Sequence, residues 1–242
     1  MNRMRSILRS GSLAALALAV TAGGCKSAAE PKYGREEKVF LPGTRAQVWA
    51  VAPAINLSGQ QGVDPLLQAD LLFQQLQQVR GLTVIPVNRV AEVYTALRID
   101  KLQSEQQAVQ VCDALGCDAI VVPTVHIYDP YNPPKFSASI NVFFRNPVSQ
   151  VTAVDAHELS RQASGSGGGN LPRRNSFLQV ADMYDGQNGT VRDKVAAYAA
   201  GRHDPKGPMK VKEYLSSMDR FVGFAYHDLI VTALSRPQMN PM

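Results

Sequence analysis

Three observations in the sequence predict an α/β fold, a small mixed sheet with helices packed on it. Gln47–Ile55 (QVWAVAPAI), Leu82–Val87 (LTVIPV) and Ala119–Tyr128 (AIVVPTVHIY) are short apolar runs of the kind that forms strands covered on both faces, and helix-period stretches separate them. After an Asp129–Pro134 corner the pattern switches to alternation, with Phe136, Ala138, Ile140, Val142 and Phe144 on one side. That is a half-buried strand running antiparallel to its predecessor. Two amphipathic stretches then close the chain. The expected architecture is a parallel βαβ core with right-handed crossovers, antiparallel C-terminal strands and two closing helices.

The elements follow in order. Asn56–Gly62 is the loop leaving the first strand. Asp64 is placed to cap a helix that opens on Pro65, where a missing N–H costs nothing. Ala69, Leu72, Phe73, Leu76 and Val79 recur at helical spacing as far as Arg80, and Gly81 is the expected helix stop. After the second strand, Asn88 is the expected cap of a helix burying Val90, Val93, Tyr94 and Leu97. Ser104 with Gln107 three residues later forms a capping-box pattern for a third helix, through Ala108, Val111, Cys112 and Leu115 to a stop at Gly116.

Asn146–Ser176 contains a glycine run and Arg173-Arg174 without periodicity, and is expected to be a surface loop. Phe177–Tyr184 is expected to return to the sheet as a strand. The closing helices are expected over about Thr190–Ala200, stopped by Gly201, and about Met209–Leu234. The apolar end of the last one spans 14 residues and contains His227 and Asp228, so it is expected to pack on protein.

At 242 residues, 45% hydrophobic and 19% charged, the composition is that of a globular protein. Residues 1–24 have targeting character: Arg3, Arg5 and Arg9 precede a short apolar run, Leu13–Val20, and then small residues. Their removal takes away three arginines and no acid, so the formal charge falls from +5 to +2. The basic balance is thus partly a property of the signal segment, and nucleic acid is not an expected partner. The expected organisation is a signal peptide over 1–24, a polar tether over 25–44 and one α/β domain over 45–236.

Ala22-Gly23-Gly24-Cys25 resembles a bacterial lipobox, with Ala22 where leucine is usual. The resemblance implies that Cys25 is lipidated and begins the mature chain. Lys26 and Ser27 follow without the aspartate associated with inner-membrane retention, which implies the outer membrane, facing the periplasm. Residues 47 to about 145 resemble the module of TolB N-terminal and CsgG-like envelope proteins, which penicillin-binding-protein activator lipoproteins share. The resemblance rests on VWAVAPAINLSG, ADLLFQQLQQVRG, LTVIP and ALGCDAIVVPTV, with Asp118 entering the third strand. From HIYDPYNPPKFSASINVFF to YLSSMDRFVGF the chain resembles planctomycete-type lipoproteins. Those motifs are packing motifs, so they imply a fold and no activity.

Chemical candidates are few. Cys112 and Cys117 lie five residues apart across a helix stop. Outside the cytoplasm they are a candidate disulfide, with two small buried thiols as the plainer alternative. His126, His157, His203 and His227 have no metal-ligand spacing, and no zinc pattern surrounds the cysteines, so neither metal nor cofactor is expected. The Ser164–Gly169 run is neither a nucleophile elbow nor a P-loop, and no catalytic residues are assigned. Tyr128, Asp129 and Tyr131 are a candidate partner surface, although turn chemistry also accounts for them. The cationic stretch Arg202–Lys212 has both a headgroup-facing and a solvated reading.

The expected function is that of a non-catalytic, lipid-anchored adaptor or accessory factor with an envelope protein as partner, and with oligomerisation compatible. The alternatives are a CsgG-like secretion-channel subunit, for which FSASINVFFR has the length and alternation of a membrane strand, and a cell-wall accessory lipoprotein.

Overall fold

Most of Pro31–Met242 forms one structural unit, and the computed structural model describes residues 38–43, 45–148, 175–204, 206–236 and 239. The signal segment, Cys25, the tether as far as residue 37 and most of loop 146–176 lie outside the described residues.

The main sheet has six strands. They are β2 (Gln47–Val51), β3 (Ile55–Asn56), β5 (Leu82–Ile85), β6 (Ala119–Asp129), β7 (Lys135–Val148) and β8 (Asn175–Asp185). Their order is β5-β2-β6-β7-β8, and β3 prolongs the contact of β2 with β6. β2 runs parallel to β5 and β6, whereas β7 and β8 are antiparallel to their neighbours. The mixed sheet with a parallel part and an antiparallel extension is therefore as the residue pattern predicts. A separate parallel pair joins β1 (Val39–Phe40) to β4 (Val79–Arg80).

Helices cover both faces. α1 (Pro65–Leu76) and α6 (Met218–Leu234) lie over Trp49, Val51, Val121 and the inward row of β7, and α4 (Gly189–Ala199) packs against α6. α2 (Val87–Leu97) and α3 (Glu105–Leu115) lie over Ala50, Ala52, Ile120 and Val122 on the other face. Alternation along β2 and β6 thus feeds two separate cores, which is why both runs are apolar throughout. In β7 the whole predicted row Phe136, Ala138, Ile140, Val142 and Phe144 is buried. FSASINVFFR is therefore a strand of this sheet.

Several boundaries differ from the sequence expectation. α1 is capped as predicted, the Asp64 carboxylate accepting from Leu66 N at 2.8 Å, but it stops at Leu76. Val79 and Arg80 leave the helix to pair with β1, so Gly81, at φ 86°, makes the turn between β4 and β5 and not a helix stop. α2 begins one residue before Asn88, behind Pro86 as N-cap, and Leu97 is exposed, because Arg98 in the left-handed region ends the helix there. The second closing helix is broken at Ser217, which is extended (φ −106°, ψ 121°). A 3-10 turn (Lys210–Lys212) and a short α5 (Glu213–Ser216) precede α6. The break turns Tyr214 edge-on to Tyr198, centroids 5.7 Å apart.

Strand β6 carries a bulge between Val125 and Ile127. Without it Ile127 would follow Val121 and Val125 into the core. The extra residue instead turns Tyr128 inward, edge-on to Phe136, and leaves Ile127 40% exposed.

Candidate functional site: the corner between β6 and β7

The predicted partner residues stand at the corner that joins β6 to β7, and the structure separates their roles. Asp129 is the last residue of β6, in register with Lys135. Its carboxylate accepts from Tyr131 N at 3.1 Å, the Asx-turn bond that a short acid at the start of a turn makes. Tyr128 belongs to the core edge. Burial pushes its phenol pKa up, with the charge of nearby Asp219 as a further cause. Tyr131 is 81% exposed. Of the three, only Tyr131 offers its ring to solvent.

The corner is buttressed from the turn after β8. Gly186 N donates to the Pro134 carbonyl at 2.9 Å, and a Cβ on Gly186 would sit 3.0 Å from that oxygen and 3.1 Å from Pro133 Cβ. Only glycine fits without displacing the prolines. Asp185 holds the same turn: its carboxylate accepts from Gln187 N at 2.8 Å and pairs with Lys135 at 3.2 Å. The Gln187 bond, then the lysine, keeps its carboxyl below the usual range. Asn188 next caps α4, accepting from Thr190 N at 2.9 Å.

Between this corner and α5 lies an open groove of about 440 Å³ floored by Pro133, Gly186 and Leu215 and bordered by Arg192 and Lys212. Neither cation has an acidic partner among the described residues. The corner thus carries an exposed aromatic ring, and the next residues, Asn132 and Pro133, line a small trough with a positive rim, suited to a protein surface carrying acidic groups. Lys212 belongs to the cationic stretch visible in the sequence. Gly186 and Arg192 gave no signal there, because what matters is their approach to a corner more than 50 residues earlier.

Other candidates do not converge into a site. A crevice of about 680 Å³ lies between α1 and α2, beside the carboxyl end of β5. Its Glu92 is paired with Arg89 at 2.8 Å, and its only other acid, Asp70, stands on the opposite helix. His126 bonds the Ser139 hydroxyl at 3.0 Å, and His203 bonds the Ala199 carbonyl at 2.7 Å. His227 lies against the Tyr198 ring, and burial, then the Arg202 charge, holds its pKa down to about 4. His157 lies outside the described residues. Among the described residues no three of His, Cys, Asp or Glu gather as metal ligands, and no helix is long and apolar enough to cross a membrane. Cys112 and Cys117 are free thiols, both fully buried between α3 and β6.

No protein-family model matches the chain, and neither does any curated protein. Several solved structures resemble it distantly. The LpoB C-terminal domain from Salmonella enterica is 13% identical at a TM-score of 0.34, over 43% of this chain and 75% of that one. Lipoprotein GNA1162 from Neisseria meningitidis is 15% identical at 0.37, over 62% and 94%. The PelC dodecamer from Paraburkholderia phytofirmans is 7% identical at 0.36, over 84% and 96%.

Proposed function

We propose that this chain is a non-catalytic lipoprotein of the bacterial cell envelope, anchored through Cys25 and binding a partner protein at the Tyr131 corner. The anchor half of the reading rests on the signal-type segment that ends at Cys25. The binding half rests on one observation: Tyr131 stands 81% exposed on a corner held by the Asp129 bond and the Gly186 buttress. An aromatic ring on a rigid turn loses little conformational entropy on association, which is what an interface anchor requires. The mechanism is tethering. Lipid confines the domain to the periplasmic face of the outer membrane, which raises its effective concentration near partners in that layer. The positive rim, Arg192 and Lys212, selects a partner surface bearing carboxylates.

The test is photocrosslinking in cells, with a benzophenone side chain at position 131 of the full chain and a control at exposed Leu66 on α1. The expected result is one reproducible envelope protein captured from 131 and not from 66, lost when Cys25→Ser releases the domain. Equal capture from both positions, or none from either, overturns the corner as a binding surface. Retention of the Cys25→Ser protein in the membrane fraction overturns the anchor.

A further inference from the structure

The helix stop between α3 and β6 places two cysteines in a specific geometric relation. Gly116 adopts the left-handed conformation, φ 69°, and ends α3. The chain then folds back so that Cys117 N donates to the Cys112 carbonyl at 3.1 Å. This is the six-to-one bond of a Schellman stop, which an apolar contact between the two bonded residues frequently accompanies. In this chain both are cysteines, and both are fully buried. With standard backbone dimensions, a bond of 3.1 Å between these groups leaves the two Cα atoms no more than about 7 Å apart. A disulfide takes roughly 4.4–6.8 Å. The backbone bond already holds the two residues together at the helix stop, so closing the bridge asks for side-chain rotation and little backbone movement.

We infer that Cys112 and Cys117 are a disulfide site that staples the end of α3 to the start of β6 when the chain folds in an oxidising compartment. The compartment follows from the exported location proposed above; the geometry does not depend on it. The oxidant is a disulfide, either a small one such as oxidised glutathione or that of a thiol oxidoreductase. The Cys117 thiolate attacks one sulfur of that disulfide and expels the other as a thiol. The Cys112 thiolate then attacks the Cys117 sulfur of the mixed disulfide and expels the second thiol. One S–S bond breaks and one forms, two electrons pass to the oxidant, and the two cysteine protons end on its two thiols.

Cys117 is the better first nucleophile as the helix end closes, because the neighbouring Cys112 lowers its pKa, and Arg145 adds to that effect. Cys117 and then burial push the Cys112 thiol the other way, and it stays protonated. Burial also sets the timing. Neither sulfur is open to a protein-sized oxidant in the folded domain, so the bridge forms as the helix end closes and is afterwards shielded from reductants. The staple lies directly before Asp118, whose backbone and side chain join β6 to its two neighbours in the sheet.

The experiment uses the full chain in two arms, read by peptide mass spectrometry after acid quenching and maleimide alkylation. In the first, purified protein is unfolded, reduced and refolded in a glutathione redox buffer, with recovery of the native melting transition as the check on folding. The expected product carries no maleimide on Cys112 or Cys117, gains two after reduction, and is about 2 Da lighter than the reduced chain. Refolded protein with both thiols alkylated overturns the site. In the second arm, protein is quenched directly from cells. Bridged in both arms, the site and its use are supported. Bridged on refolding but reduced in cells, the site stands and the exported location fails. The bridged protein is also expected to melt about 4 °C higher than its reduced form.

Discussion

Asp118 and Val48 hold each other by two hydrogen bonds. Asp118 N donates to the Val48 carbonyl at 2.7 Å, and Val48 N donates to the Asp118 carboxylate at 2.8 Å. The Asp118 carbonyl also accepts from Arg145 N at 2.9 Å, so one residue at the start of β6 ties together β2, β6 and the far part of β7. Removing the carboxylate leaves a β2 amide without its acceptor. Asp118→Ala is expected to cost about 2 kcal/mol, with Asp118→Asn costing less because an amide oxygen still accepts. Urea midpoints of the two variants, compared at equal m-value, check the order.

His227 makes the domain acid-sensitive. Its folded pKa, about 4, lies below the roughly 6.5 of an exposed histidine, so between those values the unfolded chain binds the proton and the folded one does not. Stability is therefore complete above pH 6.5 and falls as the pH drops through the window. The groups facing the ring are Tyr198, Arg202 and Asp228, and the acid offsets only part of the effect of burial and the arginine. Between pH 8 and pH 5 the loss attributable to this residue is about 2 kcal/mol. Urea unfolding at the two pH values should show a smaller difference in His227→Gln than in the parent.

Gly186→Ala tests the buttress of the corner. Its Cβ meets a backbone carbonyl and a proline ring, neither of which can swing away, so a cost of about 1–3 kcal/mol is expected. Thermal melts measure it. The same change should weaken crosslinking from position 131, since the turn carrying Tyr131 must shift.

Tyr131→Ala separates binding from stability. At 81% exposure the side chain contributes little to folding, and a change within about 0.5 kcal/mol is expected. Partner affinity, measured against the protein captured by crosslinking, should fall about 30-fold or more if Tyr131 is an interface anchor. An unchanged affinity would remove the corner from the interface.

Lys194 and Asp228 form an ion pair at 2.9 Å on the α4–α6 seam, and the same carboxylate accepts from Tyr184 OH at 3.0 Å. Asp228→Asn keeps an acceptor for the tyrosine and removes the partly exposed pair, so a loss of no more than about 1 kcal/mol is expected. Asp228→Leu also strands the buried phenol and should cost more. A pair of urea curves distinguishes the two.

Local chemistry was legible wherever a residue acts on its own turn of chain. Asp64 with Pro65, Ser104, and Gly116 mark helix ends whose partners lie within a few residues, and the structure puts each where the sequence predicts it. The capping box at Ser104 is displaced by one residue, Gln107 reaching Gln103 N in place of Ser104 N. The alternation in β7 survives intact because one face of that strand closes into the core, from Phe136 against Tyr226 of α6 to Phe144 against Trp49. The expectations that failed involve competition with distant chain. Val79 and Arg80 have helical spacing, yet β1 captures them as a strand. Met209–Leu234 has one continuous apolar stripe, yet Ser217 breaks it so that Tyr214 can pack beneath Tyr198.

The candidate surface divides in the same way. Tyr128, Asp129 and Tyr131 look alike in the sequence, three polar or aromatic residues beside prolines. A bulge between Val125 and Ile127, which no turn residue marks, decides that Tyr128 faces the core, and an Asx bond decides that Asp129 serves the turn. By itself the sequence determined the α/β class, the mixed sheet and the helix ends at Asp64, Ser104 and Gly116, because periodicity and capping are written within a few residues. Tertiary structure alone decided the register of β6, the closeness of Gly186 to Pro134 and the Asp118–Val48 bonds. Each of those depends on which groups become neighbours when the surfaces close, and burial then makes their pairing obligatory.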